Sequence, residues 1–155
     1  MAKFKKDGSK ELPAISTASL PDIVFMLLFF FMVSTTMREV DLKVKNSLPQ
    51  ASQVTKLEKK SLVSTIYVGS PKQQFQKNFG TEPQIQLNDQ IAKVASVGGF
   101  IAAERESRKE EDRNKMTVSI KADSRTKMGI VTNIKQELRK AQALKLNYSV
   151  RKLTK

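Results

Sequence analysis

Residues 22–33 read Asp-Ile-Val-Phe-Met-Leu-Leu-Phe-Phe-Phe-Met-Val, one acid followed by an unbroken apolar run. The 11 apolar residues are too few to cross a bilayer as a helix, because a membrane-spanning helix takes about 20 residues. When the segment is extended to residues 14–36, it holds 23 residues with Asp22 as the only charged one. A helix of that length spans about 34 Å. The sequence therefore predicts one transmembrane helix over residues 14–36.

The charges beside this segment predict its orientation. Four lysines precede it, at positions 3, 5, 6 and 10, whereas Arg38 and Glu39 after it cancel each other. Because basic residues are retained on the cytoplasmic side, residues 1–13 are expected to form a cytoplasmic tail and the rest of the chain to be exported. Two alternatives stay open. One is a cleaved signal peptide, although no small-x-small cleavage site follows, and the other is a buried helix of a soluble protein.

Asp22 has two interpretations. An ionised carboxylate costs about 2.5–3.5 kcal/mol at the centre of a membrane helix, so such a residue is expected to have a function, here the carriage of protons. Alternatively, Ser19-Leu-Pro-Asp22 matches a capping pattern with proline in the first turn, which makes Asp22 part of the helix start. No residue on the Asp22 face of the helix is basic, so a group that pairs with the carboxylate must come from another chain or from water. The other residues of this face are Phe25, Met26, Phe29, Val33 and Thr36.

The composition excludes several kinds of chemistry. The chain of 155 residues has no His and no Cys, so the usual ligands of zinc and haem and the thiol nucleophile are missing. We therefore expect no enzyme activity, no metal site and no cofactor. The net charge of +13 suggests an anionic partner, but the basic residues are spread along the chain and match no nucleic-acid-binding motif. A basic surface beside anionic lipid or another acidic polymer is the simpler interpretation, and nucleic acid is not expected.

The rest of the sequence predicts a linker over residues 37–60 and a small α+β domain over residues 61–155. A run rich in β-branched residues predicts a strand at residues 62–68, and alternation predicts a second strand at residues 84–87. The glutamine-rich stretch 69–82 between them is predicted to be a polar loop.

The second half of this domain shows clearer periodicity. Apolar residues at helical spacing over 91–102 predict a helix that continues into the charged run 104–113, expected to be a solvated helix end. Alternation over 116–122, an apolar stripe over 128–142 and alternation over 144–150 predict a strand, a helix and a strand. Strands joined in this way lie parallel, so the domain is expected to close with a βαβ unit.

Three patches of this sequence resemble the ExbD/TolR family, the proton-channel subunits of bacterial inner-membrane motors. The first is the helix segment 22–33. The second joins Val40-Asp41-Leu42-Lys43-Val44 to Leu48-Pro49-Gln50-Ala51, similar to the stretch that follows the membrane helix in that family. The third is Ile120-Lys-Ala-Asp123 with the helix and strand after it, similar to the closing unit of the family's domain.

The resemblance implies a function and a set of partners. Family members act as homodimers whose helices sit inside a pentamer of a multi-pass, ExbB-like membrane protein. Proton flow through the essential helix carboxylate, by position Asp22, drives motion that passes to a TonB-like periplasm-spanning protein and energises outer-membrane transport. The protein is then expected in the bacterial inner membrane with a periplasmic C-terminal domain. The alternatives are a TolR-like role in envelope integrity, a gliding or secretion motor, or a membrane-anchored envelope-binding module.

Overall fold

The computed structural model describes residues 17, 19–34, 39–57 and 59–154. The chain divides into two units, residues 1–39 and 40–155. In the first unit, helix α1 covers Ser19–Ser34, which is 16 residues. The ends of the predicted transmembrane helix, at residues 14–16 and 35–36, lie outside the described residues. Among the described residues, no helix combines the length and the apolar character needed to cross a membrane.

The second unit is built on a mixed five-stranded sheet. The strands lie in the order β4 (Gln90–Ala92), β3 (Gln84–Leu87), β2 (Val63–Gly69), β5 (Thr117–Ala122) and β6 (Leu146–Tyr148). The pairs β2–β3 and β3–β4 are antiparallel, whereas β2–β5 and β5–β6 are parallel. A separate two-stranded parallel sheet pairs β1 (Gln50–Ala51) with β7 (Arg151–Lys152).

Two helices cover one face of the large sheet, α3 (Ser96–Glu106) and α5 (Met128–Lys140). The alternation in β5 buries Val118 and Ile120, and the stripe of α5 buries Ile134 and Leu138 against the same cluster. Since β5, α5 and β6 follow one another and the two strands are parallel, the predicted βαβ unit is confirmed. The prediction of a small α+β domain is also confirmed, with a mixed sheet.

Two secondary-structure predictions were wrong. The stretch 69–82 contains a helix, α2 (Gln73–Phe79), which buries none of its residues and therefore shows no apolar stripe. The helix expected from residue 91 begins only at Ser96, because residues 90–92 form β4 in a hairpin with β3. A two-residue turn at 88–89, with Asn88 at φ 50°, makes this hairpin, as Asn does in tight β-turns.

The charged run 104–113 also differs from its prediction as one solvated helix end. Helix α3 ends at Glu106 and a short helix, α4 (Glu110–Arg113), follows. Within the run, one Arg108 Nη donates hydrogen bonds to the Ser64 hydroxyl at 2.9 Å and to the Glu104 carboxylate at 3.4 Å. The Ser64 hydroxyl in turn donates to Glu104 at 3.0 Å. This cluster connects the end of α3 to the start of β2, so part of the run is structural.

Candidate functional site

Helix α1 is apolar on every side. After Asp22 it carries 11 apolar residues in succession before it ends at Ser34. None of its residues is buried within the chain, and its large apolar side chains keep 54% to 77% of their surface exposed. A helix that is apolar all round is normally buried, either in the core of a large protein or in a membrane.

The residues predicted on the Asp22 face lie at the expected helical positions, but below Asp22 the described part of that face is as apolar as the others. Phe25, Met26, Phe29 and Val33 all belong to α1. Thr36 lies outside the described residues. Because the whole helix is apolar, any of its faces could contact a partner helix, and the role of these residues stays a prediction.

Asp22 is the only ionisable residue of α1 and lies in its first turn. The amide groups at a helix N-terminus carry partial positive charge and favour a carboxylate there, so this position agrees with the capping interpretation. Asp22 is also the only acidic or basic side chain of α1, as the carrier interpretation requires. Both interpretations therefore fit the position of Asp22.

In the second unit, residues 40–51 (here the post-helix segment) run along the domain. Gln86, on β3, is fully buried and anchors this segment through its side-chain amide. Its Oε1 accepts the backbone N–H groups of Lys43 at 2.8 Å and Val44 at 3.3 Å. Its Nε2 donates to the backbone carbonyls of Asp41 and Asn88, both at 2.7 Å. The amide thus has partners for both Nε2 hydrogens and for Oε1.

Further contacts hold the middle of the post-helix segment. The side chain of Val44 is 1% exposed, and its backbone forms an antiparallel bridge to Pro71. The N–H of Lys45 donates to the carbonyl of Ser70 at 2.8 Å. Burial of a valine side chain is worth about 1.5–3 kcal/mol, so Val44 is a main anchor of the segment.

The end of the post-helix segment is bonded to residues 123–124 and to β7. The N–H of Ser47 donates to the Asp123 carboxylate at 2.8 Å, and the N–H of Ser124 donates to the Ser47 carbonyl at 2.9 Å. The carbonyl of Pro49 then accepts the N–H of Arg151 at 2.8 Å, where β1 meets β7. Residues 40–51, predicted as part of a linker, are therefore attached to the domain along their length.

The six residues predicted in this segment differ in their exposure. Val44 is buried, Asp41 is exposed, and the other four are half-buried, namely Val40, Leu42, Leu48 and Pro49. Sequence reasoning missed Gln86, which holds the segment. Its signal was available, since Gln86 lies between Ile85 and Leu87 in an alternating strand, and a polar residue on the face opposite the core has to find partners there. Among the described residues, no group of acids, His or Cys could hold a metal ion.

A family model described as the biopolymer transport protein ExbD/TolR matches residues 9–153. That range includes α1, the post-helix segment and both sheets of the second unit. The chain has no significant match to a curated protein or to a solved structure.

Proposed function

The chain belongs to the ExbD/TolR family of biopolymer transport proteins, and we propose that it is a motor subunit driven by the proton-motive force. In this proposal it is a homodimer in the bacterial inner membrane, with a transmembrane helix over residues 14–36 and a periplasmic domain. An ExbB-like pentamer surrounds its helices, and a TonB-like periplasm-spanning protein receives the motion. The output is outer-membrane transport, and the subunit has no enzyme activity of its own.

The observation that carries the proposal is the position of Asp22 at one end of an exposed apolar helix surface. A proton that crosses a membrane releases about 2.3 kcal/mol per 100 mV. Using that energy requires a group that is protonated on one side and deprotonated on the other. In α1 the only acidic or basic group is that of Asp22, because every residue from Ile23 to Val33 is apolar.

The exposed apolar surface of α1 supports the proposal that helices of another membrane protein surround it. Phe25 is 70% exposed and Met32 is 77% exposed, and the other large apolar side chains of the helix are all more than half exposed. Lipid can cover such a surface, but lipid cannot exchange protons with Asp22. Helices of a second membrane protein can both cover it and form a proton path, which is the role proposed for the ExbB-like pentamer.

The post-helix segment supports the transmission of motion. It follows α1 in the chain and is bonded to β3, to residues 70 and 71 and to β7, as described above. Residues 40–51 are therefore part of the domain and not a slack linker. We propose that the domain moves with the helix and passes this motion to the TonB-like protein.

Proteoliposomes that contain the chain and its multi-pass partner test the proposal through proton flux. Asp22→Asn keeps the shape of the side chain and removes its titration, so we expect proton flux to fall by at least about tenfold. Asp22→Glu should retain part of the flux. Asp112→Asn is the matched control on α4 of the domain and should conduct as the unchanged chain does. The motor proposal fails if Asp22→Asn conducts normally while still co-purifying with the partner.

Two observations favour second candidates. The matched family description covers both ExbD and TolR, so a TolR-like role in envelope integrity, or a gliding or secretion motor, uses the same Asp22 chemistry with another driven protein. The net charge of +13 and the first-turn position of Asp22 favour an envelope-binding module in which Asp22 is only a cap. Co-purification of the driven protein distinguishes the ExbD-like role from the TolR-like, gliding and secretion roles. Normal function of Asp22→Asn would favour the envelope-binding module.

A further inference from the structure

A cleft lies on the face of the large sheet opposite to α3 and α5. Its floor comes from β2, β5 and the stretch around β6, including Thr65, Ser119 and Asn147. One wall is the stretch 53–57, which leads from the post-helix segment towards β2. The cavity measures about 630 Å³, within the range of roughly 300–1,000 Å³ that is typical of small-molecule sites.

Among the described residues, the charged side chains that line this cleft are basic. Lys56 and Lys60 come from the wall, and Lys121 comes from β5 on the floor. The ammonium group of Lys121 lies 5.3 Å from the centre of the Tyr67 ring, which helps to hold it in place. No described residue of the lining is acidic, and none of the three lysines pairs with a carboxylate of the described residues.

The floor of the cleft also offers hydrogen-bond donors. The hydroxyls of Ser119 and Ser149 lie 2.8 Å apart and share one hydrogen bond, although Ser119 is only 2% exposed. One of the two hydroxyl hydrogens is used in that bond, and the described residues provide no acceptor for the other. The Asn147 side-chain amide lines the same floor and can donate two more hydrogen bonds.

We propose that this cleft binds a small soluble molecule that carries a phosphate group. The lining brings lysines of the wall and of the floor together with the hydroxyl and amide donors of the floor. This arrangement suits a tetrahedral oxyanion, which accepts hydrogen bonds in several directions. The cavity is much larger than phosphate alone, so it has room for an organic part beside the anion, next to Val54 and Leu57. The site does not involve Asp22 and does not depend on proton transport.

Calorimetric titration of the full chain in a neutral detergent tests this site, in a buffer free of phosphate and at low salt. The probes are pyrophosphate and glycerol 3-phosphate, with glycerol as the uncharged control. Both phosphates should bind saturably at one site per chain, and glycerol should not bind. The variant Lys56→Gln/Lys121→Gln should weaken the binding of both by at least about tenfold, because it removes two of the three positive charges.

A second pair of substitutions controls for the overall charge. Lys77→Gln/Lys93→Gln removes the same charge from exposed residues outside the cleft and should change the affinity by less than about twofold. Ser119→Ala keeps every charge and should still weaken binding, because it removes a floor hydroxyl. The proposal is overturned if the two lysine pairs weaken binding equally, or if neither phosphate gives a saturable signal. Circular dichroism verifies that each variant is folded.

Discussion

Replacement of Gln86 by Met tests whether one buried amide holds the post-helix segment on the domain. The substitution nearly preserves the volume of the side chain but removes all four of its hydrogen bonds to the backbone. We expect the domain to lose stability and the segment to lose its protection from solvent. Gln90→Met is the matched control, because Gln90 is exposed on the neighbouring strand.

The size of the effect follows from the burial of the four bonds. The bond to the Val44 N–H is buried, so its loss leaves an unpaired buried donor at a cost of about 1–3 kcal/mol. The other three bonds are only partly buried, and water can replace Gln86 there at about 0.5–1.5 kcal/mol each. Since the segment can detach and relieve part of this cost, we expect a loss of about 3 kcal/mol.

Two measurements check this expectation on the full chain in a mild detergent. Urea unfolding followed by circular dichroism gives the free energy of unfolding, and hydrogen exchange gives the protection of the amides of residues 40–47. Gln86→Met should lower both, whereas Gln90→Met should stay within about 0.5 kcal/mol of the unchanged chain. The reasoning is refuted if Gln86→Met matches the unchanged chain in stability and if the amides of Lys43 and Val44 stay protected.

Three further predictions concern the same domain. A Cβ at Gly69 would overlap the carbonyl oxygen of Lys45, so Gly69→Ala should expose the post-helix segment to hydrogen exchange. At Gly99 a Cβ would meet no other atom within 4 Å, so Gly99→Ala should be neutral or should stabilise α3 by up to about 1 kcal/mol in urea unfolding. This prediction is wrong if Gly69→Ala and Gly99→Ala change the exchange of the post-helix segment equally. Burial raises the pKa of Tyr67 above its ordinary value of 10.0; its neutral form therefore stabilises the fold below that pH, and stability should fall as pH rises through the raised value. In an absorbance titration, Tyr67→Phe should remove a phenol that ionises above pH 10.0. Loss of a phenol that ionises at lower pH would contradict the prediction. Arg108→Met removes the bonds to Ser64 and Glu104 and should lower the urea midpoint, by more than Arg113→Met on exposed α4 does.

The βαβ unit was predictable because its pattern is complete within about 35 residues of sequence. Val118 and Ile120 alternate with polar neighbours, and Ile134 and Leu138 are one helical turn apart, so each element shows which side it buries. Helix α2 was not predictable from periodicity, because it buries nothing. Only the residues beside the helix indicated it. Pro71 lies shortly before its first turn, and Gly80, at φ 75°, lies directly after its last turn.

The attachment of the post-helix segment was hidden for a different reason. Most of its bonds use backbone groups, whose partners at Ser70, Ser124 and Arg151 are distant in the sequence. Backbone groups are the same in every residue, so no pattern in residues 40–51 identifies these partners. Val44 was visible as one of three alternating apolar residues, with Val40 and Leu42, but its partner across the bridge, Pro71, was not. The importance of Asp22, in contrast, came from the sequence alone, because a single acid beside an apolar run needs no fold to be noticed.

The pairing of β1 with β7 has a consequence for biosynthesis. Pro49 and Ala51 are made early, but the N–H groups that their carbonyls accept belong to Arg151 and Leu153, which are made much later. Closing so long a loop is slow in comparison with local folding. Residues 49–51 therefore pair only after residues 151–153 have been made, whereas the bonds of residues 41–44 to Gln86 can form earlier. A chain truncated before residue 151 would lack the β1–β7 pairing but would keep the bonds that Gln86 makes to residues 41–44.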